Sequence, residues 1–501
     1  MTETRRSACP LDCPDNCSLT VRTEQDRVVL VDGSALSPVT RGFICAKVRR
    51  FPDALTCPER VPTPLIRCGA KGEGAFRAAR WDEALALAAD RLSATQAAHG
   101  GESILPFYYG GSNGFLSQDT SDARLFRRLG ASRLARTVCA SATGRAAEGL
   151  YGKFPGVGYP DYAHAGLIVV WGANPADSGI HLMPFIQEAQ KRGARLVVID
   201  PRRTRLAWKS DLHLAPYPGT DLPLALAVIR ILFERGWADE AFLSEHASGV
   251  DALRERTAPW NPQYAAEVCR ISAAEIERFA ELYASTNPAV IRCGWGLERN
   301  RNGGSAVAAV LALPAVAGKF GLRGGGYTLS NSKAWGLRGA DAAHAEEPPT
   351  RLVNMNRLGA VLTDPDLAPP VKILFVYNCN PLATMPNQEA VRRGLAREDL
   401  FTIVFDPFLT DTARYADLVL PAATFLERRE LSRGYGSYSL QDAPAVVLPF
   451  GEARANHEVF LELVLRLGLD RPGDPSTEDE VREAVLAAIP GDDAPAAQRR
   501  G

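Results

Sequence analysis

The sequence predicts a mostly α/β protein: a small cysteine-bearing amino-terminal domain followed by two doubly wound domains. Three observations carry that expectation. Two long stretches repeat at a constant offset of 206 positions, short Val- and Ile-rich runs alternate with helical stretches, and four of the ten cysteines fall within the first 45 residues.

The first stretch runs LIVVWGANPADSGIHLMPFIQEAQKRGARLVVIDPRRTRLAWKSDLHL from Leu167. The second runs ILFVYNCNPLATMPNQEAVRRGLAREDLFTIVFDPFLTDTARYADLVL from Ile373. Asn174 and Pro175 fall on Asn380 and Pro381, Asp200 and Pro201 on Asp406 and Pro407, Thr204 on Thr410, Ala207 on Ala413, and Asp211 on Asp417. Each unit is an apolar run, an Asn-Pro turn, a helical stretch and a second apolar run closed by Asp-Pro, which is the β–α–β pattern of a doubly wound sheet. Ligands of such sheets sit beyond the carboxyl ends of the strands, where both dipeptides lie. An acid closing the second strand can accept hydrogen bonds from a ribose or a base amino group. Alone, each dipeptide is ordinary turn punctuation. Their recurrence in register points to two related ligand sites. No GxGxxG follows either first strand, which argues against an ordinary NAD or FAD site.

The cysteine cluster reads ACPLDCPDNC and then RGFICAK, giving C-x3-C-x3-C-x27-C through Cys9, Cys13, Cys17 and Cys45. Three-residue spacers let a Pro- and Asp-rich loop wrap a compact centre, with a fourth thiolate arriving from a distant segment, as iron–sulfur ligation requires. The intervening SLTVRTEQDRVVLVDG predicts a hairpin that carries Cys45 back to the other three. A structural zinc site is the alternative, although zinc usually takes paired C-x2-C knuckles. Lys47, two residues past the last ligand, is either a solvated charge or a positive charge set between the cluster and a second cofactor.

Apolar residues make up 46% of the chain and the formal net charge is −1, so the totals suggest neither a nucleic-acid nor a membrane-surface partner. A small-molecule substrate is expected. No apolar run reaches the ~18 residues of a membrane helix, so membrane insertion is not expected. Arg5 and Arg6 stand side by side, but no apolar region follows them before Cys9, which leaves a cytoplasmic location as the default over twin-arginine export. Ten cysteines in a long chain without a signal read as ligands and reduced thiols.

An amino-terminal cysteine loop followed by two variant dinucleotide-binding units resembles the molybdopterin oxidoreductases of the dimethyl-sulfoxide-reductase superfamily. The resemblance runs from Cys9 to about Leu467 and rests on the cysteine loop with Lys47, WGANP, VIDPRRTR, PGTD, NCNP and DTARYADLVLPAATFLE. It implies a 4Fe–4S cluster on Cys9, Cys13, Cys17 and Cys45, and molybdenum or tungsten held by two molybdopterin guanine dinucleotides. One dinucleotide would be held by Gly172, Asn174, Asp200, Arg202, Thr204, Gly219 and Asp221. The other would be held by Asn378, Asn380, Asp406, Thr410 and Asp411. The glycine loops at Gly110 and Gly111 and from Gly294 and Gly296 to Gly304 would approach phosphate and pterin through backbone amides. Lys47 would favour electron passage between cluster and pterin. A solitary cysteine such as Cys139 in LGASRLARTVCASATGRA is on composition a core residue. The resemblance makes Cys139 the side chain that ligates the metal, a role a soft thiolate suits. Ala140 stands where formate dehydrogenases usually place a histidine, which argues against formate.

Cys57, Cys68, Cys269, Cys293 and Cys379 show no ligand spacing, and His181 reads as an ordinary histidine. Superfamily chains usually end in a further β-rich domain that closes over the pterins. Here RPGDPSTEDEVREAVLAAIPGDDAPAAQRRG follows instead, expected as one short helix and a flexible tail.

The expected layout is therefore an iron–sulfur domain at 1–60, a second α/β domain built from 61–139 and 331–470, an inserted α/β domain at 140–330 and a tail at 471–501. The two α/β domains are of dinucleotide-binding type. The expected function is a molybdenum-dependent two-electron redox reaction, often oxygen-atom transfer, relayed through the cluster to an electron-carrier protein or redox subunit. Either a separate polypeptide supplies the missing domain, or the chain is a truncated product that binds cofactor weakly or not at all. Nitrate, thiosulfate, polysulfide or an organic oxide would each fit as substrate. The rival reading is a non-catalytic electron-transfer or scaffold subunit, or a truncated inactive form, that keeps the cluster and not molybdenum.

Overall fold

The computed structural model describes residues 2–152, 156–337 and 349–489. A three-stranded antiparallel sheet, Thr2–Ala8, Ser18–Glu24 and Arg27–Gly33, forms the amino-terminal unit. Gln25 and Asp26 both take positive φ, the geometry of a tight two-residue turn whose twist matches that of its strands. The expected hairpin is therefore present, and the polar segment around Arg5 and Arg6 pairs onto it as an outer strand.

Each repeat builds a parallel sheet, and the correspondence is strand for strand. Leu167–Trp171, Arg195–Ile199 and Leu212–Leu214 lie in one five-stranded sheet, continued beyond Leu167–Trp171 by Ala289–Cys293 and Gly326–Thr328. Ile373–Tyr377, Phe401–Asp406 and Leu418–Pro421 lie in a six-stranded sheet, continued beyond Ile373–Tyr377 by Ile104–Tyr108. Leu65–Arg67 and Phe76–Ala78 add antiparallel strands at its far edge. In both sheets the strand order reverses beside the first strand of the repeat, and that is the switch point at which such sheets bind ligands.

The alternation of side chains explains why Leu167–Trp171 and Ile373–Tyr377 are apolar throughout. Leu167, Val169 and Trp171 face a core built with the helices Asp221–Glu234, Ala273–Ser285 and Gly303–Val316, while Ile168 and Val170 face the helix Leu182–Lys191 on the other side. In the second sheet, Ile373, Phe375 and Tyr377 meet Trp81–His99 and Asn456–Arg466, and Leu374 and Val376 meet Leu358–Thr363 and Gln388–Leu395. Burying each such large side chain contributes about 1.5–3 kcal/mol relative to exposure. A polar residue inside these runs would break one core or the other.

One expectation needs correcting. The stretch from 471 to 489 is packed rather than flexible. Its helix Glu478–Ala487 opens on a Thr477–Glu480 capping box, and Val481, Val485, Leu486 and Ile489 form an apolar stripe against Phe115, Leu116 and Leu431. The last part of the expected tail, 490–501, lies outside the described residues. Among the described residues no helix is long and apolar enough to cross a membrane.

Candidate cluster and active site

Backbone pairing gathers the four cysteines. The strand Thr2–Ala8 delivers Cys9 at its end, Cys17 precedes the strand Ser18–Glu24, and the Cys9 amide donates to the Cys17 carbonyl at 2.9 Å. The Ser34 amide donates to the Ser18 carbonyl at 2.8 Å and the Gly42 amide to the Ser34 carbonyl at 3.1 Å, which folds the segment bearing Cys45 back onto the hairpin. Cys45 then starts the short helix Ala46–Arg49.

All four thiols are free, with Cys9 and Cys17 buried and Cys13 and Cys45 half-buried. Burial, reinforced by Asp15 and by the neighbouring thiols, pushes Cys9 and Cys13 up to about 12 and raises Cys17 further. Four uncrosslinked thiols acting on one another, where bare thiolates are disfavoured, form a donor set that a cationic multi-iron centre completes. The residues fit the group. Lys47 is exposed, and its charge reaches Cys9, whose thiol it pulls down.

His181 proves to belong to this site. It is fully buried, stacks on Phe43 with ring centroids 4.3 Å apart, and has Nδ1 2.8 Å from an Asp15 carboxylate oxygen and 3.7 Å from Cys17 Sγ. Its Nε2 lies 2.8 Å from the Phe43 carbonyl, so that nitrogen donates. The ordinary histidine, buried or on the surface, expected from sequence is thus a brace between the two cysteine-bearing loops.

At each switch point two backbones touch, and side chains are excluded. A Cβ on Gly294 would sit 2.1 Å from the Gly172 carbonyl oxygen, and one on Gly111 would sit 2.4 Å from the Asn378 carbonyl oxygen. Gly172 and Asn378, equivalent in the repeat, both take left-handed φ, 62° and 53°. The amides of Gly294 and Gly296 bond the carbonyls of Trp171 and Gly172 at 2.8 and 3.0 Å, and Gly111 bonds the Asn378 carbonyl at 2.8 Å.

The repeated polar residues also copy their hydrogen bonds. Asp200 accepts from the Arg202 amide at 2.8 Å and Asp406 from the Phe408 amide at 2.9 Å. Thr204 and Thr410 each accept from an amide three residues on, at 3.2 Å. Asn378, Asn380 and Asp406 line one cavity of about 250 Å³ together with Gly111, whereas Thr410 and the exposed Asp411 do not line it. Burial pushes the Asp406 carboxyl up to about 7. In the first unit, Asp221 accepts from Trp171 Nε1 at 2.8 Å, and Asn302 donates to the Gly219 carbonyl at 3.0 Å. Asn174 holds a buried side-chain oxygen with no partner, an acceptor left open for a ligand. Arg202 is exposed.

Cys139 lines a cavity of about 230 Å³ with Gly110, Tyr109 and Asp12. Its thiol is half-buried, within hydrogen-bonding range of the Tyr109 hydroxyl, and held above its ordinary range by burial and then by Asp12. Asp12 immediately precedes Cys13, so the cluster loop and Cys139 share one wall.

Two residues that sequence reasoning passed over hold Cys139 in place. Glu298 accepts from the Ala142 amide at 2.6 Å, the Thr143 amide at 3.2 Å and the Thr143 hydroxyl at 2.6 Å, capping the helix Ser141–Tyr151 from a distant segment. Arg299 donates to the Val138 carbonyl at 2.5 Å and to the carbonyl of Cys139 itself. Both sit in GWGLERNRNGG, where the Glu-Arg pair inside a glycine-rich turn is the available sequence signal.

Comparison with known proteins supplies the family. Residues 2–55 match the molybdopterin oxidoreductase Fe4S4 domain, and residues 60–466 match molybdopterin oxidoreductase. The chain is 37% identical over 486 residues to a probable oxidoreductase, YoaE, of Bacillus subtilis (strain 168), covering 96% of this chain and 71% of that protein. It is 26% identical over 534 residues to the assimilatory nitrate reductase catalytic subunit of the same organism, covering 97% and 72%. Acetylene hydratase from Pelobacter acetylenicus shares the fold, with a TM-score of 0.83 at 23% identity over 99% of this chain and 73% of that one. The chain therefore belongs to the molybdopterin oxidoreductase family, an α/β oxidoreductase whose cofactors are a 4Fe–4S cluster and molybdenum or tungsten carried by molybdopterin.

Proposed function

We propose that this chain catalyses a two-electron redox reaction on a small molecule, often an oxygen-atom transfer, at a molybdenum or tungsten centre ligated by Cys139, with the 4Fe–4S cluster as its electron relay. The observation that carries the reading is the shared wall, which sets Asp12 of the cluster loop and Cys139 on one cavity. When bound, the pterin–metal unit supplies the two-electron chemistry, and the cluster takes up or gives single electrons.

The protein's own residues do the positioning. Cys9, Cys13, Cys17 and Cys45 would ligate the cluster, with Lys47 supplying a positive charge near Cys9. Glu298 and Arg299 hold the Cys139 loop from both sides, which keeps the thiol pointed at the cavity at little entropic cost on metal binding. One guanine dinucleotide would rest on Gly172, Asn174, Asp200, Arg202, Thr204, Gly219 and Asp221, with Gly294 and Gly296 at its switch point. The other would rest on Asn378, Asn380, Asp406, Thr410 and Asp411, with Gly110 and Gly111. The open acceptor of Asn174 and the protonation-prone Asp406 support that assignment, because amino groups of a base would satisfy both. An electron-carrier protein or redox subunit would complete the circuit.

Iron, molybdenum and tungsten analysis of the purified protein, with assay of the guanine nucleotide released by acid, tests this function. The expected result is iron with molybdenum or tungsten and GMP. Iron without either metal or GMP would favour the rival electron-transfer or scaffold reading.

A further inference from the structure

The cavity beside Cys139 holds one guanidinium in an unusual situation. Arg433 lines it and stacks over the Phe115 ring at 4.7 Å, yet among the described residues it makes no hydrogen bond or ion pair. The other charged groups on that wall already have partners. Asp119 accepts from Arg136 at 3.0 Å and from Tyr108 at 3.2 Å, and Asp12 accepts from Asn113 at 3.1 Å.

A second donor in the cavity is also open. Trp295 presents a buried indole N–H with no partner. Gln118 adds an amide whose buried oxygen is unpartnered, and rotation of that amide would offer its NH2 group instead. The cavity is thus richer in unsatisfied donors than in acceptors. A guanidinium held partly out of water is costly when the only carboxylate acting on it, Asp119, is already paired with Arg136, and burial lowers Arg433 to about 10 despite that charge. An anion entering the cavity removes that cost.

We propose that the substrate of this site is a small inorganic oxyanion, bound by the Arg433 guanidinium with help from the Trp295 indole N–H. The planar fork of an arginine matches two oxygens of such an anion, whereas a neutral oxide offers a single weaker acceptor. This assignment rests on the reading of Cys139 as the metal-binding side chain, since that is what makes the cavity a reaction site. Arg433 is then a substrate-binding residue, and uncharged oxides are poor ligands.

Isothermal titration of the cofactor-loaded protein with nitrate, with thiosulfate and with dimethyl sulfoxide, at constant ionic strength, tests it. Metal and GMP content are measured on the same preparations. The expected result is binding of at least one oxyanion in preference to the sulfoxide. Arg433→Gln should weaken that binding at least about tenfold. Arg433→Lys should restore part of it, with metal and GMP content unchanged in both variants. Three outcomes overturn the proposal: no binding of either oxyanion, equal binding by wild type and Arg433→Gln, or loss of GMP or metal in Arg433→Gln, which would assign the guanidinium to the cofactor. A wild-type protein without molybdenum or tungsten would instead sink the reading of Cys139, and the titration would still report on the cavity.

Discussion

Removing the Glu298 carboxylate should loosen the helix that follows Cys139 without any change to that helix's own sequence. Ala140, at its amino-terminal boundary, has no side chain that can cap it. The amides of Ala142 and Thr143 and the Thr143 hydroxyl all donate to Glu298, at 2.6, 3.2 and 2.6 Å. Loss of an N-terminal cap costs about 0.5–2 kcal/mol. The carboxylate also gains about 0.3–1 kcal/mol from the positive end of the helix. Thr143 is fully buried, so water replaces the lost acceptor poorly, and the upper part of the range applies. Glu298→Ala is therefore expected to cost about 2 kcal/mol, and Glu298→Gln, which keeps one acceptor, about half as much. A local cost of 2 kcal/mol corresponds to a roughly 30-fold larger open population. Amide hydrogen exchange on cofactor-free protein reads it directly. Exchange at Ala142 and Thr143 should quicken roughly 30-fold in Glu298→Ala, while the strand Leu167–Trp171 keeps its protection. Unchanged exchange at both amides would refute the clamp.

Two further outcomes follow from buried charge. Arg60 and Glu427 form a bidentate pair at 2.6 and 2.8 Å with side chains 0% and 2% exposed, so Glu427→Gln strands a buried guanidinium and should lower stability by about 3–5 kcal/mol in urea titration. Replacing both partners by Met and Leu should recover much of that loss. Asp406, raised to about 7 in the folded chain by burial, binds its proton more tightly folded than unfolded. Its contribution therefore favours the cofactor-free fold below the ordinary carboxylate range and is lost as pH rises from about 4 to about 7. Asp406→Asn should flatten that part of the stability–pH curve, and an unaltered slope in denaturation measured across the window would contradict the assignment.

The parallel sheets were legible in the sequence because strands buried on both faces are predominantly apolar, with few exceptions such as Arg292 and Thr402, and two copies in register carry the same message twice. The cysteine loop was legible because ligation constrains spacing. The outer strand Thr2–Ala8 was not, since its polar, mostly exposed residues are held by backbone pairing and by long-range contacts such as Arg5 donating to the Val446 carbonyl. The helix Glu478–Ala487 was foreseen, but its docking was not, because its partners Phe115, Leu116 and Leu431 are distant in sequence. His181, Glu298, Arg299 and Arg433 share that difficulty. Each works through contacts between segments far apart in the chain, and no local periodicity marks a charged residue that folding will set beside a cysteine. The glycines at the switch points were found by composition, while their reason, backbone touching backbone at 2.8–3.0 Å, emerged only in three dimensions.

The central claim, that Cys139 is the protein's ligand to the pterin-bound metal, is open to a direct spectroscopic measurement. Metal-edge X-ray absorption of the loaded wild-type protein and of Cys139→Ala, matched for iron content, counts the sulfur neighbours of molybdenum or tungsten. The account predicts one fewer sulfur neighbour in the variant, with the iron–sulfur signal intact. An identical sulfur count in the two proteins would contradict it.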